Sequence, residues 1–126
     1  MGKYRDITRT LFTFFSKLGL DVYLEGVVPT GAKFPYVTIG YETNSQLGES
    51  TILSGRIWTK VKNASRVPVN DITDKLYELI GEGVKLTIDN NNGYITLYKG
   101  SPFVQPIAED DLTLQVNYFN LEMQIY

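Results

Sequence analysis

The sequence predicts an α+β fold, a mainly antiparallel sheet with two helices packed on it, in a single domain spanning residues 1–126. Three observations predict it. Two segments repeat apolar residues with a helical period, most of the remainder alternates with a strand period, and an Asn-Gly pair joins two of the alternating runs. Helices set apart from hairpin-linked strands are the pattern of an antiparallel sheet carrying helices, not of βαβ units. A chain of 126 residues is the size of one ordinary domain and buries enough surface to fold without metal or disulfide. Its 43% hydrophobic and 13% aromatic content supplies the apolar area that offsets chain entropy.

Residues 3–18 are predicted helical, because Ile7, Leu11, Phe14, Phe15 and Leu18 recur at i, i+4, i+7, i+8 and i+11. Lys3, Arg5, Asp6, Arg9 and Lys17 are assigned to the solvent side, and Gly19 to the left-handed C-cap. A short strand follows at Val22–Leu24, then a Gly/Pro loop in which Pro29-Thr30-Gly31 reads as a turn. Tyr36–Thr43 is predicted as a strand with Val37, Ile39 and Tyr41 on one face. Asn44–Ser50, polar and containing Gly48, reads as a loop. Ile52–Val61 is the next strand, with Leu53, Gly55, Ile57, Thr59 and Val61 on one side and Ile52, Ser54, Arg56, Trp58 and Lys60 on the other.

The second helix carries the stripe Ile72, Leu76, Leu79 and Ile80, with Asn70 or Asp71 expected as its cap and Gly81 and Gly83 as its end. Asp71, Asp74, Glu78 and Glu82 give it an acidic outer face. Val84–Ile88 and Tyr94–Tyr98 form a hairpin across Asp89-Asn90-Asn91-Asn92-Gly93. Gly100–Asp111, with Pro102 and Pro106, reads as a loop, and Leu112–Ile125 as a long final strand. Its apolar phase shifts between Tyr118 and Phe119, which predicts a bulge or a change of partner.

Composition excludes several chemistries. With no Cys, disulfides, thiolate nucleophiles and Cys-ligated metal are impossible, and the absence of His removes the commonest general base. No catalytic constellation, cofactor pattern or metal site is expected. The Asp89–Gly93 segment lacks the Gly and Glu spacing of an EF-hand, and no phosphate-cradling Gly pattern occurs. Apolar runs fall far short of a membrane span, and the first residues lack a secretory or myristoylation pattern, so an intracellular site of synthesis without membrane contact is expected. Net charge is −2, against a dedicated nucleic-acid binder. Residues 1–66 hold nine Lys/Arg and five Asp/Glu, a balance of +4, whereas residues 67–126 hold three and nine, a balance of −6. That division is either the accident of a solvated surface or the mark of opposed faces suited to head-to-tail contact between copies.

Two groups stand out as candidate contacts. Arg56, Trp58 and Lys60 share one strand face, with Lys62 and Arg66 extending the basic patch. An aromatic flanked by cations can anchor a protein interface, stack nucleic-acid bases, or simply be a Trp packed beneath a helix. Glu109-Asp110-Asp111 is the acidic triplet, either a solvated loop or a contact for a cation or basic partner. Phe103 is a candidate apolar anchor in the loop before it.

Phe34-Pro35-Tyr36-Val37-Thr38-Ile39-Gly40 resembles the PYV-x-(I/L)-G strand of the tail-terminator and tail-completion proteins of long-tailed bacteriophages. Gly55-Arg56-Ile57-Trp58-Thr59-Lys60 resembles that family's next strand, (V/I)-W-(T/S/D)-K, and the leading helix, second helix, hairpin and final strand follow in the same order. The resemblance implies a structural virion protein that forms a ring, usually a hexamer, on the end of the tail tube. Such a ring stops tube polymerisation and supports joining to the head connector, with genomic DNA passing through the lumen without sequence-specific binding. Its implied partners are other copies of itself, the tail tube protein and the head–tail connector protein. Its implied place is the tail end at the head–tail interface, after assembly in the host cytoplasm. Another head–tail joining or minor capsid protein, or a small nucleic-acid-binding sheet using Trp58, are the alternatives.

Overall fold

The computed structural model describes residues 3–41, 50–91 and 93–126, without the Asn91 side chain. Helix α1 (Lys3–Phe15) runs into a 3-10 turn at Ser16–Leu18 that ends on Gly19 at φ 81°. Strands β1 (Asp21–Leu24), β2 (Tyr36–Tyr41) and β3 (Ser50–Lys60) precede helix α2 (Val67–Ile80). Strand β4 (Val84–Thr87), a 3-10 turn at Asp89–Asn91, β5 (Tyr94–Ile107) and β6 (Leu114–Ile125) complete the described elements. They form one six-stranded sheet in the order β1-β2-β3-β6-β5-β4. Only β1 and β2 run parallel, the other four pairings being antiparallel, so the fold is the expected α+β.

Both helices cover the same sheet face. Ile7, Leu11, Phe14 and Phe15 of α1 and Val69, Leu76 and Ile80 of α2 share a core with Val37, Ile39, Leu53, Ile57, Leu97, Phe119 and Met123. Helix α2 lies over β3, β6 and β5, while α1 reaches the edge strands β1 and β4 and the turn after β4. Phe15 packs against both Phe14 (5.2 Å between ring centroids) and Phe119 (5.8 Å), tying α1 to the central strand. Among the described residues the opposite sheet face carries no helix.

Five local expectations are corrected. Asp6 is fully buried, not solvent-facing. It accepts a hydrogen bond from Asn90 Nδ2 (3.3 Å), because the β4–β5 turn, with Asn90 at φ 61°, folds onto that flank of α1. Helix α2 starts at Val67 with Arg66 at its N-cap, so Asn70 and Asp71 are helical residues and not caps. Ser65 Oγ instead accepts from the Val67 amide at 3.3 Å.

The stretch from Gly100 to Ile107 is not loop but the second half of β5. Strand β4 covers only Tyr94–Leu97, so beyond that point β5 is a sheet edge. Pro102 and Pro106 are tolerated there because an edge needs no donor on its open side. The irregularity expected in β6 sits in β5. Register with β3 is continuous from Leu114 to Gln124, whereas β5 shifts between Lys99 and Val104. The apparent slip arises because the buried residue that keeps the core phase is polar, Asn117. Of the loop expected at Asn44–Ser50, Ser50 begins β3, and residues 44–49 lie outside the described residues, as do Glu42 and Thr43 of the expected strand.

Candidate functional site

The helix-free face is organised by strand register. Tyr36 of β2, Trp58 of β3, Val116 of β6 and Ile107 of β5 are successive cross-strand partners, and Thr38, Arg56, Tyr118 and Gln105 form the next row. Arg56, Trp58 and Lys60 do share one face, and it is the face away from both helices, so Trp58 is not packed beneath a helix. The cover comes from neighbours in the sheet and from the loop before β2. Trp58 stacks on Tyr36 at 6.0 Å and 22°, Phe34 packs on Tyr36 at 5.1 Å, and Tyr23 meets Tyr36 edge-on at 5.6 Å.

The polar groups of this face are aimed. Trp58 Nε1 donates to Thr38 Oγ1 at 3.1 Å. Arg56 donates to Glu25 at 3.1 Å and lies over the Tyr118 ring at 5.6 Å, while Lys60 lies 5.9 Å from the Phe34 ring centroid. Burial, then the neighbouring Tyr23 and Glu25, push the Tyr36 hydroxyl up from its ordinary 10.0, so the ring stays neutral across physiological pH. The result is a half-buried aromatic cluster with guanidinium and ammonium groups held against it.

The other candidates fall elsewhere. Arg66 does not extend this patch: it lies at the helix side, donating to Asn117 Oδ1, to Gln115 Oε1 (3.2 Å) and to the Val116 carbonyl (3.4 Å). Lys62 is exposed after β3. Phe103 is separated from Trp58, because it packs edge-on against Tyr77 of α2 at 5.7 Å. Glu109 and Asp110 lie in the β5–β6 connection, half-buried and exposed respectively.

Asp111 is brought near Lys60, but its carboxylate is occupied locally, accepting from the Thr113 amide (2.9 Å) and Thr113 Oγ1 (2.6 Å). The Thr113 side chain, then its amide, then Lys60 hold the Asp111 carboxyl below its ordinary 3.8. The folded value lies below the unfolded one, so this turn is fully held above about pH 4 and its contribution is lost as pH falls through the folded value. The protection factor of the Thr113 amide, its exchange rate divided out by the intrinsic pH dependence, is expected to fall only below about pH 4, and Asp111→Asn is expected to flatten that dependence.

Sequence reasoning missed Tyr23, Glu25, Phe34 and Tyr118 as members of this surface. The signal for Tyr118 was present, since it shares the phase of Leu114 and Val116, but that phase read as core. Among the described residues no group of three acidic side chains converges to hold a metal ion, and no helix is long and apolar enough to cross a membrane.

No family model and no curated protein matches the chain. Solved structures do match its fold. A chain of the virion of a native gene transfer agent particle superposes with a TM-score of 0.62 at 13% identity, over 98% of this chain and 90% of that one. A second solved chain superposes with a TM-score of 0.64 at 9% identity, over 98% of this chain and 92% of that one.

Proposed function

We propose that this chain is a structural protein of a phage-type virion, without catalytic activity. Copies of it form a ring, six to the turn, on the last ring of the tail tube, stop its growth and support joining to the head, while DNA passes through the lumen. The observation that carries this reading is the end-to-end likeness in fold to a chain of a virion particle, which covers 98% of the present chain. The two motif strands that resemble tail-terminator proteins support the finer assignment. They are adjacent in the sheet as β2 and β3, and Tyr36 of the first stands directly opposite Trp58 of the second.

In this reading the helix-free face meets the tail tube protein, with Trp58 as the aromatic anchor and Arg56 and Lys60 as its flanking cations. A nucleic-acid role for the same face is disfavoured, because Arg56 is already bonded to Glu25 and Trp58 Nε1 to Thr38.

The test is tail morphology by electron microscopy of particles assembled with and without the gene. Loss of the gene is expected to give overlong tubes. Tails of normal length that stay detached from heads would replace the terminator role with a head-joining one. Trp58→Ala, checked by circular dichroism to keep its fold, is expected to lower the yield of joined particles by about tenfold or more, the scale of one interface anchor. An unchanged yield would move the tube contact to another face.

A further inference from the structure

Strand β5 loses register with β6 between Lys99 and Val104, so that residues 100–103 stand against the single residue Asn120 of β6. The irregularity leaves a dent of about 230 Å³, lined by Ile52, Gly100, Ser101, Asn120 and Glu122 together with Leu121. It opens on the helix-free face, because Ile52 shares the phase of Trp58 along β3 and Glu122 that of Tyr118 along β6. Gly100 has no side chain to fill the space, and a Cβ there would stand 2.8 Å from the Asn120 carbonyl oxygen.

The lining is rich in acceptors and holds no cation. Glu122 is exposed and has no ion pair among the described residues. Its cross-strand partner on β3 is Ile52, an apolar side chain 64% exposed on a central strand. Its partner on β5, Tyr98, lies over Gly83, where a Cβ would meet Tyr98 Cε1 at 2.3 Å, and leaves the carboxylate open. Asn120 Nδ2 donates to the Pro102 carbonyl at 3.4 Å, so Asn120 Oδ1 remains as an acceptor beside the Ser101 hydroxyl. The complementary side chain has an apolar stem for Ile52 and several donors at its tip. Arginine meets both needs with a methylene stem and a planar fork of N–H donors, whereas a lysine ammonium is a strongly hydrated point charge.

We propose that this dent receives an arginine of the tail tube protein, its guanidinium on Glu122 and its stem against Ile52. The proposal rests on the reading above, in which the helix-free face meets the tube, and adds a second point of contact to that face. Ile52 lies six residues from Trp58 along β3, about 20 Å at the rise of a strand and within the span of one ordinary interface. An aromatic anchor at one end and an acid at the other are unlike, so the pair fixes which way round the subunit sits on the tube.

The probe is tail tubes purified from particles assembled without the gene, and binding of the full chain to them is read by cosedimentation at low salt. Glu122→Gln is expected to raise the half-saturating concentration about tenfold and Glu122→Lys to raise it further, the scale of truncating a hydrogen-bonded charge pair. Asp74→Lys makes the same change of net charge as Glu122→Lys, but on the exposed outer arc of α2, and is expected to bind like the wild type. Circular dichroism melts confirm that all variants fold. Tubes whose arginines are capped with phenylglyoxal, and whose form is checked by electron microscopy, are expected to bind the wild type about tenfold more weakly. Capping is expected to change the binding of Glu122→Gln far less, because the two losses are one interaction.

Glu122 variants that bind like the wild type, while Trp58→Ala binds weakly, overturn the arginine contact and leave the face on the tube. The reverse result upholds the arginine contact and removes the Trp58 anchor. Equal losses in Glu122→Lys and Asp74→Lys reduce the effect to overall charge and overturn the contact, as does a capping loss that is equal in the wild type and Glu122→Gln. A wild type that does not bind the tubes overturns the arginine contact and the tube contact of this face together.

Discussion

Gly55→Ala is expected to destabilise the protein by about 3 kcal/mol, at the upper end of what overpacking a core costs. Gly55 lies in the middle of β3, opposite Ile39 of β2 and Phe119 of β6. A Cβ built there would stand 2.6 Å from Phe119 Cζ and inside contact distance of the Thr38 carbonyl oxygen. The Phe119 ring is fully buried against Gly55 and also packs on Phe15, so it has little room to retreat. For a domain of this size, thermal denaturation is expected to shift down by about 10 °C. Phe119→Leu in the same chain would relieve the ring contact but not the carbonyl contact, so it is expected to recover only part of the loss. A melting temperature within about 2 °C of wild type for Gly55→Ala would show that β2 and β3 can slide apart there.

Asn117→Ala is expected to cost about 2–3 kcal/mol, the scale of leaving buried polar groups without partners. The Asn117 side chain is buried on the core face of β6, where it donates to Thr73 Oγ1 at 2.8 Å and to Asn70 Oδ1 at 3.3 Å, and accepts from Arg66 Nη2. It thereby fastens the first turns of α2 and the residue before them to the sheet. Alanine would remove all three bonds and leave the buried Thr73 hydroxyl and the half-buried Arg66 guanidinium beside a void, while Asn70, which is exposed, turns to water. Asn117→Asp keeps the acceptor for Arg66 and is expected to lose less than half as much. Chemical denaturation of the two variants separates the outcomes: equal losses would mean that the Arg66 contact carries nothing.

The acidic triplet shows how little sequence proximity says about a site. Glu109, Asp110 and Asp111 are contiguous, yet Asp111 spends its carboxylate on Thr113 two residues away, while its charged neighbour, Lys60, comes from the end of β3. The basic patch divides in the same manner. Arg56 and Lys60 lie on one side of the sheet and Arg66, six residues on, lies on the other, because the chain leaves β3 and enters α2 between them.

What the sequence determined by itself is everything set by local periodicity. Both helices, the four strands with regular alternation, the β4–β5 hairpin and the buried phases of β2 and β3 follow from 3.6- and 2-residue repeats together with Gly and Asn turn chemistry. The common face of Arg56, Trp58 and Lys60 and the acidic arc of α2 were legible for the same reason. Tertiary structure alone decided which face of the sheet the helices cover, and hence that Trp58 stacks on Tyr36 and not under a helix. It also decided that a Pro-bearing segment could be an edge strand, that Asn117 could hold a core position by bonding α2, and that Asp6 could be buried against the β4–β5 turn. Each of these depends on which distant segment arrives beside the residue. A polar side chain in the core is stable only when its partners, 44 residues away for Asn117 and Thr73 or 84 for Asp6 and Asn90, are delivered by the fold.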